Sequence, residues 1–205
     1  TISSGGGYFS LDPNINPLMH NWNMVYFKYC DGGSFSGSNA SSTPYKGATL
    51  HWRGKHILNG GITDMLHNRG LDTATDVVVS GCSAGGLATF LHCDHWANRI
   101  HTEGQKSSKV VCMPDSGLFL DYEGCNGPLC NPPHYHDRMI WVFAQQNSTS
   151  GVNDACIAAE RPTSNCFFAE HTMKYIKTPT FPLQGEYDDW QIGADLGDKN
   201  RTNSS

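Results

Sequence analysis

Long apolar runs are missing. No segment of the 205 residues approaches the ~18 consecutive apolar residues that cross a bilayer, so no membrane span is expected. Basic runs are missing too. The 14 Lys and Arg are outnumbered by 19 Asp and Glu, the net charge is -5, and nothing supports nucleic acid as a partner. None of the eight cysteines forms a Cys-x-x-Cys pair, which argues against a zinc ribbon or a thioredoxin-type site. No internal repeat and no interior linker divides the chain, so residues 1–205 read as a single domain, a monomer being expected. One scarcity is positional: all ten histidines lie at or before residue 171.

What is present points outward from the cell. The cysteine count is even, and Asn-x-Ser/Thr sequons occur at Asn39, Asn147, Asn200 and Asn203. Together they predict a secreted, disulfide-bonded glycoprotein. Pairing cannot be deduced from spacing, although Cys125 with Cys130 and Cys156 with Cys166 suit local loops. The chain begins at Thr1, without an initiator Met or a signal peptide, and ends in a polar tail. Truncation at both ends is therefore expected.

The most informative stretch runs from Asp76 to Leu91. Asp76–Ser80 carries three valines in a row and reads as a buried strand. Ala84, Leu87, Ala88 and Leu91 then repeat at helical spacing. Between them lies Gly81-Cys82-Ser83-Ala84-Gly85, a G-x-S-x-G motif in a strand-to-helix setting. Such a turn strains its central residue and lifts its hydroxyl off the sheet, and glycine is expected at both flanking positions to avoid a collision. Ser83 is the candidate nucleophile. The Ala84 N–H, in the first turn of the helix, is the candidate oxyanion donor. Cys82 is expected to point away into packing or a disulfide. The bland alternative is a glycine-rich turn with an incidental serine.

The rest of the chain alternates. Strands are expected at Trp22–Tyr29, Leu50–Arg53, Ser108–Met113 (broken by Pro114) and Phe181–Gln184. Helices are expected at Gly54–Arg69, from Ala84 to about Ile100, and at Arg138–Gln146, Asp154–Glu160 and Phe167–Tyr175. Ser34–Lys46 reads as a polar loop. This alternation predicts a mostly parallel α/β sheet with helices on both faces.

A serine nucleophile needs a base, and the base needs a carboxylate. Asp115 and Asp188 both follow strands after the elbow. With Asp115 as the acid, His134, His136 and His171 are candidate bases; with Asp188, no histidine follows in this chain. His92 and His95 flank Cys93, but their helical spacing suits a surface or cysteine-lined core better than a metal site. Gly5-Gly6-Gly7 is tempting as a second oxyanion loop, yet no strand precedes it and no helix is expected after it.

Six separated motifs then occur in unbroken order. They are Asn21-Trp22-Asn23; Tyr29-Cys30-Asp31-Gly32 with Ser34-Phe35-Ser36-Gly37; Gly81 to Thr89 with His92-Cys93-Asp94; Asp115-Ser-Gly-Leu-Phe-Leu-Asp121; Cys166-Phe-Phe168; and Tyr187-Asp188-x-Trp190-Gln191. In these the chain resembles the pectin acetylesterase and Notum family. The resemblance implies an α/β-hydrolase-like fold, truncated here at both ends, and a Ser-Asp-His triad. It places the nucleophile on Ser83 and the acid on Asp188, leaving Asp115 as a pocket residue. It also implies a histidine downstream of Asp188 and a Gly-Gly-Gly-Trp-Cys loop upstream, neither of which this chain contains. Cys82 and the Tyr-Cys-Asp-Gly segment resemble the plant and microbial members. That implies deacetylation of pectin in the cell wall, with no metal or organic cofactor. The alternatives are a Notum-like protein deacylase and an inactive binding protein on a hydrolase fold. The 205 residues alone are expected to be neither stable nor active.

Overall fold

A computed structural model describes residues 7–122 and 135–194. In chain order the elements are β1 (Ser42–Tyr45), β2 (Ala48–His51), α1 (Gly54–Asn68), β3 (Asp76–Cys82), α2 (Ala84–Glu103) and β4 (Lys109–Asp115). The helices α3 (Tyr135–Gln145), α4 (Asp154–Ala159), α5 (Ala169–Thr172) and α6 (Asp189–Ala194) follow, with short 3-10 turns between elements.

The three valines lie on a parallel ladder. β3 pairs with β4 from Asp76↔Lys109 to Cys82↔Asp115. A third segment continues the sheet beyond β4 through parallel bridges Cys112↔Thr180 and Asp115↔Leu183. Its hydrogen bonds include Phe181 N to Cys112 O at 2.8 Å and Leu183 N to Pro114 O at 2.9 Å. The strand expected at Phe181–Gln184 is thus present as a ladder partner. Pro114 does not break β4, contrary to expectation. It removes one donor from the ladder, but its carbonyl still accepts from Leu183.

α2 is the hub because it is buried on more than one side. Leu87, Phe90 and Leu91 join one core cluster with Phe119, Phe143 and Phe167. Ala88, Trp96, Ala97 and Ile100 join another with Leu58, Ile62 and Leu66 of α1. The expected single apolar stripe is therefore split between two cores. A disulfide between Cys93 and Cys112 ties α2 to β4, with Cα atoms 6.0 Å apart. The expected Cys156–Cys166 bridge is present. Cys125 and Cys130 lie outside the described residues, as do His134, Gly5 and Gly6.

Four local expectations need correction. Trp22–Tyr29 is not a strand, because among the described residues it finds no ladder partner. Phe27 is anchored there edge-on to Phe35 and Trp96, and Tyr29 against Phe35, while Tyr26 is 70% exposed. Ser34–Lys46 is not all loop. Its end forms β1, which turns through Lys46 (φ 47) and Gly47 (φ 79) into β2. Two left-handed residues suit a two-residue hairpin turn. Phe167–Tyr175 is no continuous helix. Phe167 and Phe168 are both 1% exposed and pack in different directions, against Phe143 and Tyr135, and Phe168 is extended. Finally, Cys82 is neither packed nor bridged but a free, exposed thiol at the end of β3.

Candidate active site

β3 ends at Cys82 and α2 begins at Ala84, so Ser83 alone makes the reversal. Its backbone sits at φ 58, ψ -121, a conformation that L residues rarely adopt. Two bonds hold it: its N–H donates to Asp115 O at 2.9 Å, and its carbonyl accepts from Leu87 N at 3.0 Å. Its side chain is exposed at the sheet's C-terminal end.

The two flanking glycines are not equivalent. A Cβ on Gly81 would meet the Gly85 carbonyl, 2.5 Å from its oxygen and 2.6 Å from its carbon. A Cβ on Gly85 would meet nothing within 4 Å. The collision expected at both positions is thus real only at Gly81. A second close approach, which motif reading missed, lies one residue on. Gly86 and Gly117 pack backbone on backbone, and a Cβ on Gly86 would overlap the Asp115 carbonyl and sit 2.8 Å from Gly117 Cα. The signal was the Gly85-Gly86 doublet with Gly117 after β4.

Ala84 opens a 20-residue helix, where the first N–H groups have no intrahelical acceptor and the dipole is positive. Its carbonyl accepts from Ser34 Oγ at 3.0 Å. Ser34 belongs to a loop pressed against the elbow. Ser34 (φ 52) and Phe35 (φ 59) are consecutive non-glycine residues in left-handed conformation. Tyr29 OH accepts from Ser34 N at 3.2 Å, and Asp31 Oδ2 from Phe35 N at 2.9 Å. Burial holds the Asp31 carboxyl above its ordinary range. His92, from α2, is fully buried with Nε2 2.8 Å from Ser34 O, so that nitrogen carries the proton. Burial pushes its pKa down to about 4. His95 bonds Asn59 Oδ1 at 2.7 Å. Neither histidine shares a ligand site with Cys93, which is in a disulfide.

Asp188 follows the third segment of the sheet. Its Oδ1 accepts from Trp190 N (3.0 Å) and Gln191 N (3.1 Å), and its Oδ2 from Gln184 Nε2 (3.2 Å). The glutamines reach back as well: Gln184 Oε1 accepts from Leu118 N and Gln191 Oε1 from Leu120 N. The loop after β4 and the Asp188 turn are therefore laced together. Neighbouring parallel strands put Ser83, Asp115 and the Asp188 turn at one end of the sheet. Asp115 itself contributes its carbonyl to Ser83 and accepts Ser116 Oγ at 2.9 Å. His136 and His171 both bond Asp121 instead of Asp115 or Asp188.

A cavity of about 950 Å³ borders every residue from Ala74 to Gly85, Ser83 included. Its walls are mostly apolar, with Met19, Phe27, Met65 and Trp96 among them. Among the described residues, β3 has a strand partner on the β4 side only, and the cavity runs along its other side. Also among the described residues, no helix is long and apolar enough to cross a membrane.

A serine elbow between a parallel strand and a helix, with carboxylates at the ends of the following strands, defines an α/β-hydrolase-like fold. The solved Wnt deacylase Notum from Drosophila shares it: TM-score 0.80 at 25% identity, over 93% of this chain and 54% of that one. A pectinacetylesterase family model matches residues 2–205, and the chain belongs to that family. Pectin acetylesterase 5 of Arabidopsis thaliana is 37% identical over 91% of this chain and 41% of its own length. Pectin acetylesterase 4 of the same plant is 35% identical over 91% and 43%. The human palmitoleoyl-protein carboxylesterase NOTUM is 28% identical over 94% and 38%. The chain thus spans about two-fifths of the length of these relatives.

Proposed function

We propose that this chain is the nucleophile-bearing part of a secreted serine carboxylesterase that removes acetyl groups from pectin. The observation that carries the reading is the geometry at Ser83: a strained, exposed hydroxyl at the start of a long buried helix, beside a large cavity. In this reading Ser83 attacks the ester carbonyl and passes its proton to a histidine. That histidine comes from the part of the relatives' length that these residues do not span. Asp188, held by amide donors, orients the histidine and stabilises its charged form. The Ala84 N–H binds the developing oxyanion, a contribution typically worth ~3 kcal/mol. Water then hydrolyses the acyl-enzyme. Residues 1–205 form one part of a single hydrolase domain, which works as a monomer in the cell wall. Asp115 shapes the elbow through its backbone and is not the triad acid.

A second reading, removal of a long acyl chain from a protein, is favoured by the similarity to the palmitoleoyl-protein carboxylesterase NOTUM. The higher identity to the pectin acetylesterases, 37% against 28%, supports the first. Ser83→Ala in the protein should lower hydrolysis of 4-nitrophenyl acetate by at least about 10⁴-fold with the far-UV CD spectrum unchanged. Retained turnover would sink the assignment. The ratio of kcat/KM for acetate over decanoate esters separates the two readings: a preference for acetate supports the first.

A further inference from the structure

Asp121 lies just past β4, and both of its carboxylate oxygens face imidazoles. Oδ1 is bonded to Nδ1 of His136, a ring that stacks flat on Phe168 with centroids 5.6 Å apart. Oδ2 lies 3.1 Å from Nε2 of His171. That same nitrogen is 3.7 Å from Oε1 of Glu170, and Glu170 Oε1 is fixed in turn by the Asp121 N–H at 2.9 Å. The cluster offers one donor atom each from half-buried Asp121, Glu170 and His171, all within 4.8 Å of one another. Zinc bonds of ~2.0–2.2 Å in a tetrahedron hold their donors ~3.3–3.5 Å apart. The two separations from His171, 3.1 Å to Asp121 and 3.7 Å to Glu170, bracket that spacing, and the two carboxylates lie within 4.8 Å of each other.

The other nitrogen of His171 gives an independent indication. Nδ1 is buried and has no hydrogen-bond partner. A carboxylate oxygen of Glu160 lies 3.8 Å from it, and the other Glu160 oxygen accepts from Tyr175 OH at 2.7 Å. With its proton on Nε2, facing Asp121, the ring leaves Nδ1 a buried acceptor opposite another acceptor. With a cation on Nε2, the proton moves to Nδ1 and points at Glu160. A metal-bound histidine whose far N–H meets a carboxylate is the usual outer arrangement of such sites.

We propose that Asp121, Glu170 and His171 bind a divalent transition-metal ion of zinc's size and borderline softness, with Glu160 and His136 orienting His171 and Asp121. Among the described residues three protein donors face the ion, and a fourth ligand completes the tetrahedron. The site joins the loop after β4 to α5. That loop also donates Leu118 N and Leu120 N to the two glutamines that hold Asp188. The ion therefore braces the Asp188 turn from behind and takes no part in ester chemistry. Sequence reading missed it because its members stand at 121, 160, 170 and 171, with no metal-type spacing among them.

Calorimetric titration of the chelator-treated protein with Zn²⁺ tests this. Saturable binding of one ion per chain is expected. Glu170→Gln and His171→Asn should each abolish it, Glu160→Gln should weaken it ~10–100-fold, and His101→Gln, at the end of α2, should leave it unchanged. Absence of saturable binding, or wild-type affinity in both ligand variants, overturns the site. If His171→Asn does not fold, Co²⁺ in the wild-type protein reads the donors directly. Bands of a four-coordinate nitrogen and oxygen site support the assignment. A thiolate charge-transfer band would move the ion to a cysteine and overturn it.

Discussion

Two neighbouring stretches hold non-glycine residues at positive φ, and they are built in opposite ways. At the elbow, Ser83 is strained by residues within a few positions of it: β3 behind, α2 ahead, and Gly81 against Gly85. In the loop facing it, Ser34 and Phe35 are held by Tyr29 and Asp31 nearby and, in addition, by partners from far along the chain. His92 grips the Ser34 carbonyl, Ala84 accepts the Ser34 hydroxyl, and Ser148 bonds Ser36 at 2.9 Å. Strain that is local writes a motif into the sequence. The loop's distant partners write none, because each looks like an ordinary serine or histidine where it stands.

The contrast yields predictions of decreasing size. Gly81→Ala forces a Cβ onto the Gly85 backbone, which cannot yield as a side-chain end can. We expect a loss of about 3–4 kcal/mol in denaturant unfolding. Gly85→Ala enters open space on a helix and should be neutral or stabilising by up to about 1 kcal/mol. Equal losses at both positions would mean that the elbow is not built on one steric contact.

The loop should respond to pH where the elbow does not. Folded His92 stays neutral until about pH 4, whereas an unfolded histidine takes its proton near the ordinary 6.5. Between those values the unfolded chain binds more protons, so stability is complete above 6.5 and falls as pH falls. Between pH 6.5 and 5 the loss should be about 2 kcal/mol. His92→Gln should flatten the profile in that window, and an unchanged slope would remove His92 as the cause. The smallest loss is expected from Ser34→Ala, which deletes one hydrogen bond to the Ala84 carbonyl. About 1 kcal/mol in stability is the anticipated loss. A larger fall in kcat than in stability would show that this bond positions the start of α2.

Much of the fold was legible. α1, α2, α3 and α4 stand within a few residues of their expected limits, because helix faces and caps are local features. Asn153, for example, accepts from Cys156 N at the start of α4. The failures share a cause. Trp22–Tyr29 has strand composition, but a strand exists only when a partner supplies its hydrogen bonds. Pro114 looked like a stop and is carried by a ladder on both sides. Phe167–Tyr175 has helical propensity, yet two adjacent phenylalanines bury in different directions.

The sequence by itself determined the elbow, since β-branched residues, glycine and a helix face within sixteen positions leave the chain few ways to turn. It also determined membership of the family, through six motifs in order. The tertiary structure alone decided that Gly81 and not Gly85 is sterically required, that Gly86 meets Gly117, and that Cys93 pairs with Cys112. It alone gathered Asp121, Glu160, Glu170 and His171 into one cluster. Each of those depends on backbones or side chains meeting across tens of residues, and no local pattern records where a folded chain will touch itself.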